Sequence, residues 1–337
     1  MRRLILALGL VLAPAATLAQ GVCEGRNLMA GLSRGVQAEL RAAADAVPHS
    51  RGLFWRAEKG EAAMTLIGTY HFGDPRHDLA VERFAPVIAE AHSLLVEAGP
   101  EEERALTAAL GSDPALMADI TGPTLPERLE PEEWSRLSTA MAARGVPAVI
   151  ASRMRPWYVA TLLGLSPCMI EQATAGGDIG GLDQRLIDAA RQAGTPVRAL
   201  EPWDTLFSVF DSLTETDEID MIRAALPAAE HADDYATTLI EAYFDQDVWM
   251  LWEFGRFDAY ANSGLPREAV DRQLELAQRE LMDRRNADWI APLTEAAAEA
   301  AAAGQGIVAA FGALHLPGEA GVLALLEDEG WTVTRIE

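Results

Sequence analysis

Two boxes of the form Gly-x-x-His are the first candidates for chemistry in this sequence. Gly68–His71 follows the apolar run Ala63–Ile67, and Gly312–His315 follows the apolar run Ile307–Phe311. Each run has the length and composition of a buried β-strand. The glycine permits a sharp turn, and open α/β sheets hold ligands at the carboxyl ends of their strands. The chain has six histidines, so a matched pair in this context indicates a site.

Two glutamates occupy the same kind of position. Glu97 ends the apolar run Ser93–Val96, and Glu201 ends the run Pro196–Leu200. If the four runs are parallel neighbours in one sheet, both carboxylates and both imidazoles line a single rim.

These side chains together predict a metal site. Imidazole and carboxylate groups are the ligands of Zn²⁺, Mn²⁺ or Co²⁺ centres that keep a position open for water. The ion would polarise a carbonyl group or lower the pKa of bound water, and Glu97 would serve as ligand or as general base. The expected ligands of this divalent ion (Mn, Co or Zn) are His71, His315, Glu97 and Glu201.

Structural roles would also account for each residue taken alone. A histidine at a strand end often makes only a structural hydrogen bond, and Glu97 could simply cap backbone N–H groups. Glu201 precedes Pro202 and could lie at a helix N-terminus, where its charge is favourable. The remaining histidines are expected at the surface or in loops: His49, His77, His92 and His231.

A helical segment near the C-terminus supplies two further candidates. Asp283–Asn286 would ordinarily be a solvated helix face, but Ala287–Ile290 continues an apolar stripe. That stripe predicts that Arg285 and Asn286 project toward the rim. There they would orient a substrate or stabilise an oxyanion.

The glycine-rich segment 175–181 has the composition of a phosphate cradle. It lacks the Lys-[Ser/Thr] pair of a P-loop and does not match Gly-x-Gly-x-x-Gly. We therefore expect a loop that enters a helix, with Asp183 as the N-cap of that helix.

Charge and motif content exclude several classes of function. Lys and Arg number 27 against 51 Asp and Glu, for a net charge of −24, which disfavours binding to nucleic acids and to anionic membranes. The sequence has no Gly-x-Ser-x-Gly elbow and no His-Glu-x-x-His helix, so a serine nucleophile and an ordinary zincin have no support.

The N-terminus has the pattern of a secretory signal peptide. Basic residues at 2–3 precede a charge-free apolar run, and small residues lie at Thr17 and Ala19, so cleavage is expected after Ala19. An uncleaved anchor is the alternative. We expect an exported, periplasmic protein with no stable membrane anchor after cleavage. Its two cysteines, Cys23 and Cys168, are predicted to form a disulfide, the alternative being two free thiols.

The pattern of elements predicts an α/β fold with a central mixed sheet flanked by helices. Strands are expected at 52–58, 63–67, 93–97, 196–201, 307–311 and 331–336. Helical cap insertions separate them at about 101–165 and 203–300. After the signal peptide, residues 20–337 would form one domain.

In their order and spacing these motifs resemble the TraB/GumN family, which includes PrgY and the Tiki membrane proteases. The resemblance implies a fold related to the erythromycin-esterase/ChaN-like group. For the Tiki branch it implies metal-dependent proteolysis carried by the two box histidines and the glutamate. The segments that carry it are Ile67–Gly73, Val96–Glu97, Gly181–Glu201, Arg285–Trp289 and Gly312–Val333.

Taken together, the sequence predicts an exported metal-dependent hydrolase with peptides as the leading substrate class. Two rival hypotheses stay open. One is a non-catalytic periplasmic protein that sequesters a peptide or small molecule in the same cleft. The other is a metal-free esterase that uses His and Glu as acid and base. The sequence leaves the oligomeric state open.

Overall fold

A computed structural model describes residues 23, 25–174, 180–211 and 213–337. Its centre is a six-stranded sheet with the order β4-β3-β5-β2-β1-β6. All six strands lie where the sequence predicts them, within a few residues at their ends. The strands are β1 Phe54–Lys59, β2 Ala62–Thr69, β3 Leu94–Val96, β4 Val197–Ala199, β5 Ile307–Gly312 and β6 Thr332–Arg335.

The sheet is mixed. β4, β3, β5 and β2 run parallel to one another, whereas β1 is antiparallel to both β2 and β6. The carboxyl ends of four neighbouring strands therefore meet at one edge. In the β2–β5 register, Gly68 lies opposite Phe311 and Thr69 opposite Gly312, so the two Gly-x-x-His boxes are neighbours offset by one residue.

Helices surround this sheet and confirm the α/β assignment. A π-helical segment, Gln278–Asp283, and short 3₁₀ turns, including Ala313–His315, join them. The α-helices of the described residues are α1 Arg34–Asp45, α2 His77–Glu90, α3 Pro100–Ser112, α4 Leu125–Arg128, α5 Pro131–Ala143, α6 Ala148–Ala151, α7 Pro156–Leu163, α8 Pro167–Thr174, α9 Leu182–Ala193, α10 Thr205–Asp211, α11 Glu215–Glu230, α12 Ala232–Phe244, α13 Val248–Asn262, α14 Arg267–Ala277, α15 Arg284–Ala302 and α16 Val322–Asp328.

The apolar character of β5 follows from burial on both faces. Val308 and Ala310 pack into a core with α2 and α9. Ala309 and Phe311 face the opposite core, to which α15 contributes Trp289. A parallel strand covered by helices on both sides reads as a continuous apolar run, which is the pattern of Ile307–Phe311.

The helices inserted on either side of β4 pack against each other beside the sheet. In that cluster Leu137 and Met141 of α5 are buried together with Ile222 and Leu226 of α11. This contact brings the helices after β3 and the helices after β4 into one cap region.

The N-terminal part of the described chain is tied to this cap region. A disulfide joins Cys23 to Cys168 in α8, as the sequence predicted. None of the helices within the described residues is long and apolar enough to cross a membrane. The predicted signal peptide, residues 1–19, lies outside the described residues.

Candidate active site at the carboxyl edge of the sheet

The side chains that were expected to line the rim lie at the carboxyl ends of the four parallel strands. His71 lies two residues beyond the end of β2, and Glu97 directly follows β3. Glu201 lies two residues beyond β4, and His315 ends the 3₁₀ turn that follows β5. The expected juxtaposition of two imidazoles and two carboxylates therefore follows from strand order alone.

Three of these side chains converge on Gly312. Glu97 Oε1 accepts a hydrogen bond from the Gly312 N–H at 2.6 Å. A Cβ atom at position 312 would lie 3.1 Å from Glu97 Oε1, 3.3 Å from His71 Nε2 and 3.5 Å from His315 Cδ2. Glycine is needed here because a side chain would occupy the space around which these groups gather.

Arg285 binds both carboxylates of the rim. Its Nη2 donates to Glu97 Oε2 at 2.8 Å and to Glu201 Oε1 at 2.7 Å, and its Nε donates to Glu201 Oε2 at 2.9 Å. Trp289 Nε1 donates to Glu201 Oε2 at 3.1 Å. Both Glu201 oxygens are thus engaged in holding Arg285, which is 9% exposed. Burial lowers the pKa of Arg285, but the two glutamates outweigh burial and raise it.

His315 is held in one tautomer. Asn286 Nδ2 donates to the Ala320 carbonyl at 2.8 Å, so its Oδ1 is the atom 2.6 Å from His315 Nδ1 and accepts from it. His315 Nε2 therefore carries the lone pair and accepts from Arg285 Nη1 at 3.3 Å. Burial and the positive charge of Arg285 outweigh the opposing charge of Glu97 and lower the pKa of His315 to about 4. The imidazole is neutral at pH 7.

His71 is positioned by the carboxylate of Asp183, which the sequence had predicted to be a helix N-cap. Its Nδ1 donates to Asp183 Oδ2 at 3.0 Å, while Thr69 Oγ1 donates to the other oxygen of Asp183. The side chain is 57% accessible. Protein packed around the ring displaces water and lowers its pKa, but the hydrogen bond and charge of Asp183 outweigh this and raise the pKa to about 9.

Glu97 is ionised despite its burial. Burial opposes its charge, whereas His315 (once protonated at low pH), His71 and Arg285 favour the charge, as does the Gly312 N–H. The balance lowers the pKa of Glu97 to about 2. Such a carboxylate is a weak proton acceptor at neutral pH and a good electrostatic partner or ligand.

The donor atoms are of the types that bind a divalent cation. Each imidazole donates from Nδ1 to an oxygen acceptor, which is the usual arrangement of histidine ligands. An ion would displace the proton of His71 Nε2 and the Arg285 donor from His315 Nε2. Among the described residues, however, no group of three or more His, Cys, Asp or Glu side chains is arranged as a metal site. Arg285 places a positive charge beside the same atoms.

Comparison with known proteins shows the family. A model of the TraB/PrgY/gumN family matches residues 53–335. The chain belongs to the TraB/PrgY/gumN family. No curated protein and no solved structure matches the chain.

In this TraB/PrgY/gumN chain, Asp183 is the site residue that sequence reasoning missed. The prediction that Asp183 is an N-cap is wrong: Gly181 caps α9, and Asp183 lies in the first turn. A Cβ at Gly181 would lie 2.3 Å from the Tyr70 carbonyl oxygen, so glycine lets α9 approach the His71 loop. Asp183 then reaches His71 across 112 positions of sequence.

Asn286 and Arg285 reach the rim as expected, but their partners are protein groups. Asn286 is 1% exposed and binds His315 and the Ala320 carbonyl. Arg285 likewise binds Glu97, Glu201, His315 and the Leu281 carbonyl. In this geometry both residues hold the side chains of the rim in place.

The expectation that His77 lies at the surface or in a loop is also wrong. It begins α2 and is 1% exposed, because it packs against Tyr243 and Phe244. Its Nε2 donates to the Phe72 carbonyl at 3.0 Å, which supports the loop that carries His71. Residues 175–179 of the glycine-rich segment lie outside the described residues.

Proposed function

We propose that the carboxyl edge of the sheet is the catalytic centre of an exported, metal-dependent hydrolase with peptides as its substrate class. The observation that carries this proposal is the convergence of His71 Nε2, Glu97 Oε1 and the His315 ring on Gly312. Membership of the TraB/PrgY/gumN family and the matched boxes at adjacent strand ends support it.

We assign His71, His315 and Glu97 as the groups that would hold the ion. When bound, a divalent ion such as Zn²⁺, Mn²⁺ or Co²⁺ supplies a Lewis acid and an activated water. Among the two roles expected for Glu97, its low pKa favours that of ligand over that of general base.

The surrounding residues set the geometry of these three. Asp183 fixes the ring of His71, and Asn286 keeps His315 in the Nδ1–H tautomer that presents Nε2. Such outer partners typically contribute one to two orders of magnitude in affinity or activity. Arg285 provides a fixed positive charge that would stabilise negative charge developing on a carbonyl oxygen, and Glu201 holds Arg285 in place.

A metal-free hydrolase is the second candidate, and the position of Arg285 favours it. Its Nη1 lies 3.3 Å from His315 Nε2, so the guanidinium already supplies positive charge where a cation would lie. In that mechanism His71, protonated at neutral pH because of Asp183, would donate a proton to the leaving group.

Metal content and hydrolysis, measured on the same preparations, separate these candidates. Residues 20–337 would be purified and analysed for metals, together with His71→Ala, His315→Ala and the surface control His92→Ala. We expect about one equivalent of metal in the wild type and in His92→Ala, and loss of metal in the other two variants.

Hydrolysis would be followed by mass spectrometry against a mixed peptide library, before and after chelation. The metal-dependent proposal predicts cleavage that chelation abolishes and that adding the metal back restores. Cleavage that survives exhaustive chelation would support the metal-free candidate. A metal-replete protein that cleaves nothing in the library would favour the binding hypothesis instead.

A further inference from the structure

Tyr243 is a buried residue of α12 whose hydroxyl reaches the central sheet. It is 1% exposed, and its hydroxyl donates a hydrogen bond to the Gly68 carbonyl at 3.0 Å, 175 positions away along the chain. Burial, together with the negative charge of Asp183, raises the pKa of Tyr243, so the hydroxyl keeps the proton that it donates. A helix inserted after β4 therefore binds the first glycine of the first Gly-x-x-His box.

The hydroxyl binds an acceptor at the end of the antiparallel β1–β2 pair. The Gly68 N–H donates to the Leu53 carbonyl at 2.7 Å. In a regular antiparallel ladder the Gly68 carbonyl would accept the reciprocal bond from Leu53, and here the Tyr243 hydroxyl binds that carbonyl. The hydroxyl thus fixes the end of β2 from which the His71 loop departs.

Gly68 is also the point at which the two boxes touch. A Cβ atom on Gly68 would lie 2.6 Å from Leu316 Cδ1 and 3.1 Å from the Cα atom of Ala313. Ala313 begins the 3₁₀ turn that ends at His315, so the backbone of the first box lies directly against the turn of the second. A shift of Gly68 would therefore change the position of His315 relative to His71.

The ring of Tyr243 supports the rest of the His71 loop. Its centroid lies 5.4 Å from that of Tyr70, inside the first box, and 5.9 Å from that of His77. His77 in turn binds the Phe72 carbonyl through Nε2 at 3.0 Å. The carbonyls on either side of the loop, those of Gly68 and Phe72, are thus held by two residues that pack against each other.

We propose that Tyr243 is a positioning residue of the candidate site, which holds the two Gly-x-x-His boxes in the alignment that brings both histidines to Gly312. It acts through Gly68, Tyr70 and His77, since its hydroxyl binds a backbone carbonyl and its ring packs against other rings. The relevance of this alignment to hydrolysis rests on the proposed function. The alignment itself can be measured in a metal-free protein that cleaves nothing.

Tyr243→Phe tests the proposal because it removes the hydroxyl and keeps the ring. The buried Gly68 carbonyl then loses this donor, and since buried carbonyls are ordinarily paired, the backbone is expected to move toward another partner. Tyr235→Phe is the matched control, because it removes a hydroxyl from the same helix, where the ring of Tyr235 packs against Phe254 of α13. Circular dichroism and urea unfolding would confirm that both variants are folded.

Long-range proton–nitrogen NMR of the metal-free protein at pH 7 reports the surroundings of each imidazole, with His71→Ala and His315→Ala used to assign the signals. We expect the ring signals of both histidines to shift in Tyr243→Phe and to stay in place in Tyr235→Phe. A role in stability alone would lower the urea midpoint of Tyr243→Phe and leave its ring signals unchanged, and that result would overturn the proposal. Equal shifts in the two variants would overturn it as well.

Zinc affinity, measured by competition with a chromophoric chelator, gives the second readout. We expect Tyr243→Phe to bind Zn²⁺ about tenfold or more weakly than the wild type, as is typical when an outer partner of a ligand is removed, and Tyr235→Phe to bind it as the wild type does. Undiminished affinity in folded Tyr243→Phe would overturn the proposal. A wild type that binds no Zn²⁺ would instead refute the metal-dependent function, and the NMR comparison would then decide the role of Tyr243 alone.

Discussion

Replacing Glu97 by glutamine tests the electrostatics of the rim. The pKa of Glu97 falls from 4.5 in a model compound to about 2 in the fold. At 1.36 kcal/mol per pKa unit, this difference sets an upper limit of about 3 kcal/mol of stability at pH 7, because His315, one of its causes, is neutral there. The side chain is 17% exposed, so solvent screening reduces that figure only modestly. Glu97→Gln removes the charge and nearly preserves the shape.

The depressed pKa determines how the free-energy difference between wild type and Glu97→Gln changes with pH. A carboxylate with a depressed pKa stabilises the fold fully above its unfolded pKa and loses that effect as the pH falls through its folded pKa. The contribution of Glu97 is therefore complete above about pH 5, and up to about 2 kcal/mol of it is lost by pH 3. The free-energy difference between wild type and Glu97→Gln should shrink by that amount over this interval.

Urea unfolding of chelator-treated protein, followed by tryptophan fluorescence between pH 7 and pH 3, measures the difference. The surface variant Glu58→Gln serves as control, because its exposed pair with Arg56 should contribute at most about 1 kcal/mol. A difference between wild type and Glu97→Gln that stays constant with pH would refute the reasoning, as would a cost at pH 7 no larger than that of the control.

Three further variants test other parts of the structure. Asp183→Asn should lower the pKa of His71 from about 9, as followed by NMR titration of the metal-free protein; an unchanged pKa would contradict the role given to Asp183. Gly312→Ala should reduce metal content or hydrolysis about tenfold or more, because its Cβ would crowd Glu97 and His71, whereas Gly111→Ala, with open space around it, should not. Replacing both Cys23 and Cys168 by serine should lower the free energy of unfolding by up to about 4–5 kcal/mol, since the bond closes a loop of 145 positions; unchanged urea midpoints would show that the loop contributes no such constraint.

The rim could be predicted from the sequence because it depends on local patterns. Apolar runs with a polar residue at the carboxyl end identify strands, and parallel neighbours bring such ends together. His71, Glu97 and His315 follow from that argument without knowledge of side-chain packing. Their convergence on Gly312 also required the strand order, which places β5 between β3 and β2.

The partners of these residues could not be predicted in the same way. Asp183 has the sequence context of a helix cap, and only the close approach of α9 to the Tyr70 carbonyl turns it toward His71. Glu201 and Arg285 are 84 positions apart, and nothing local indicates that they pair. Nothing near His77 in the sequence indicates its burial, which comes from Tyr243 and Phe244, far along the chain.

The central claim is that His71, Glu97 and His315 share one divalent ion. Anomalous X-ray diffraction from crystals grown with Zn²⁺ tests it most directly. We predict a peak within about 2.0–2.2 Å of His71 Nε2, His315 Nε2 and a Glu97 oxygen, and no such peak in His315→Ala crystals. A zinc-saturated wild-type crystal with no peak among these three side chains would contradict the claim.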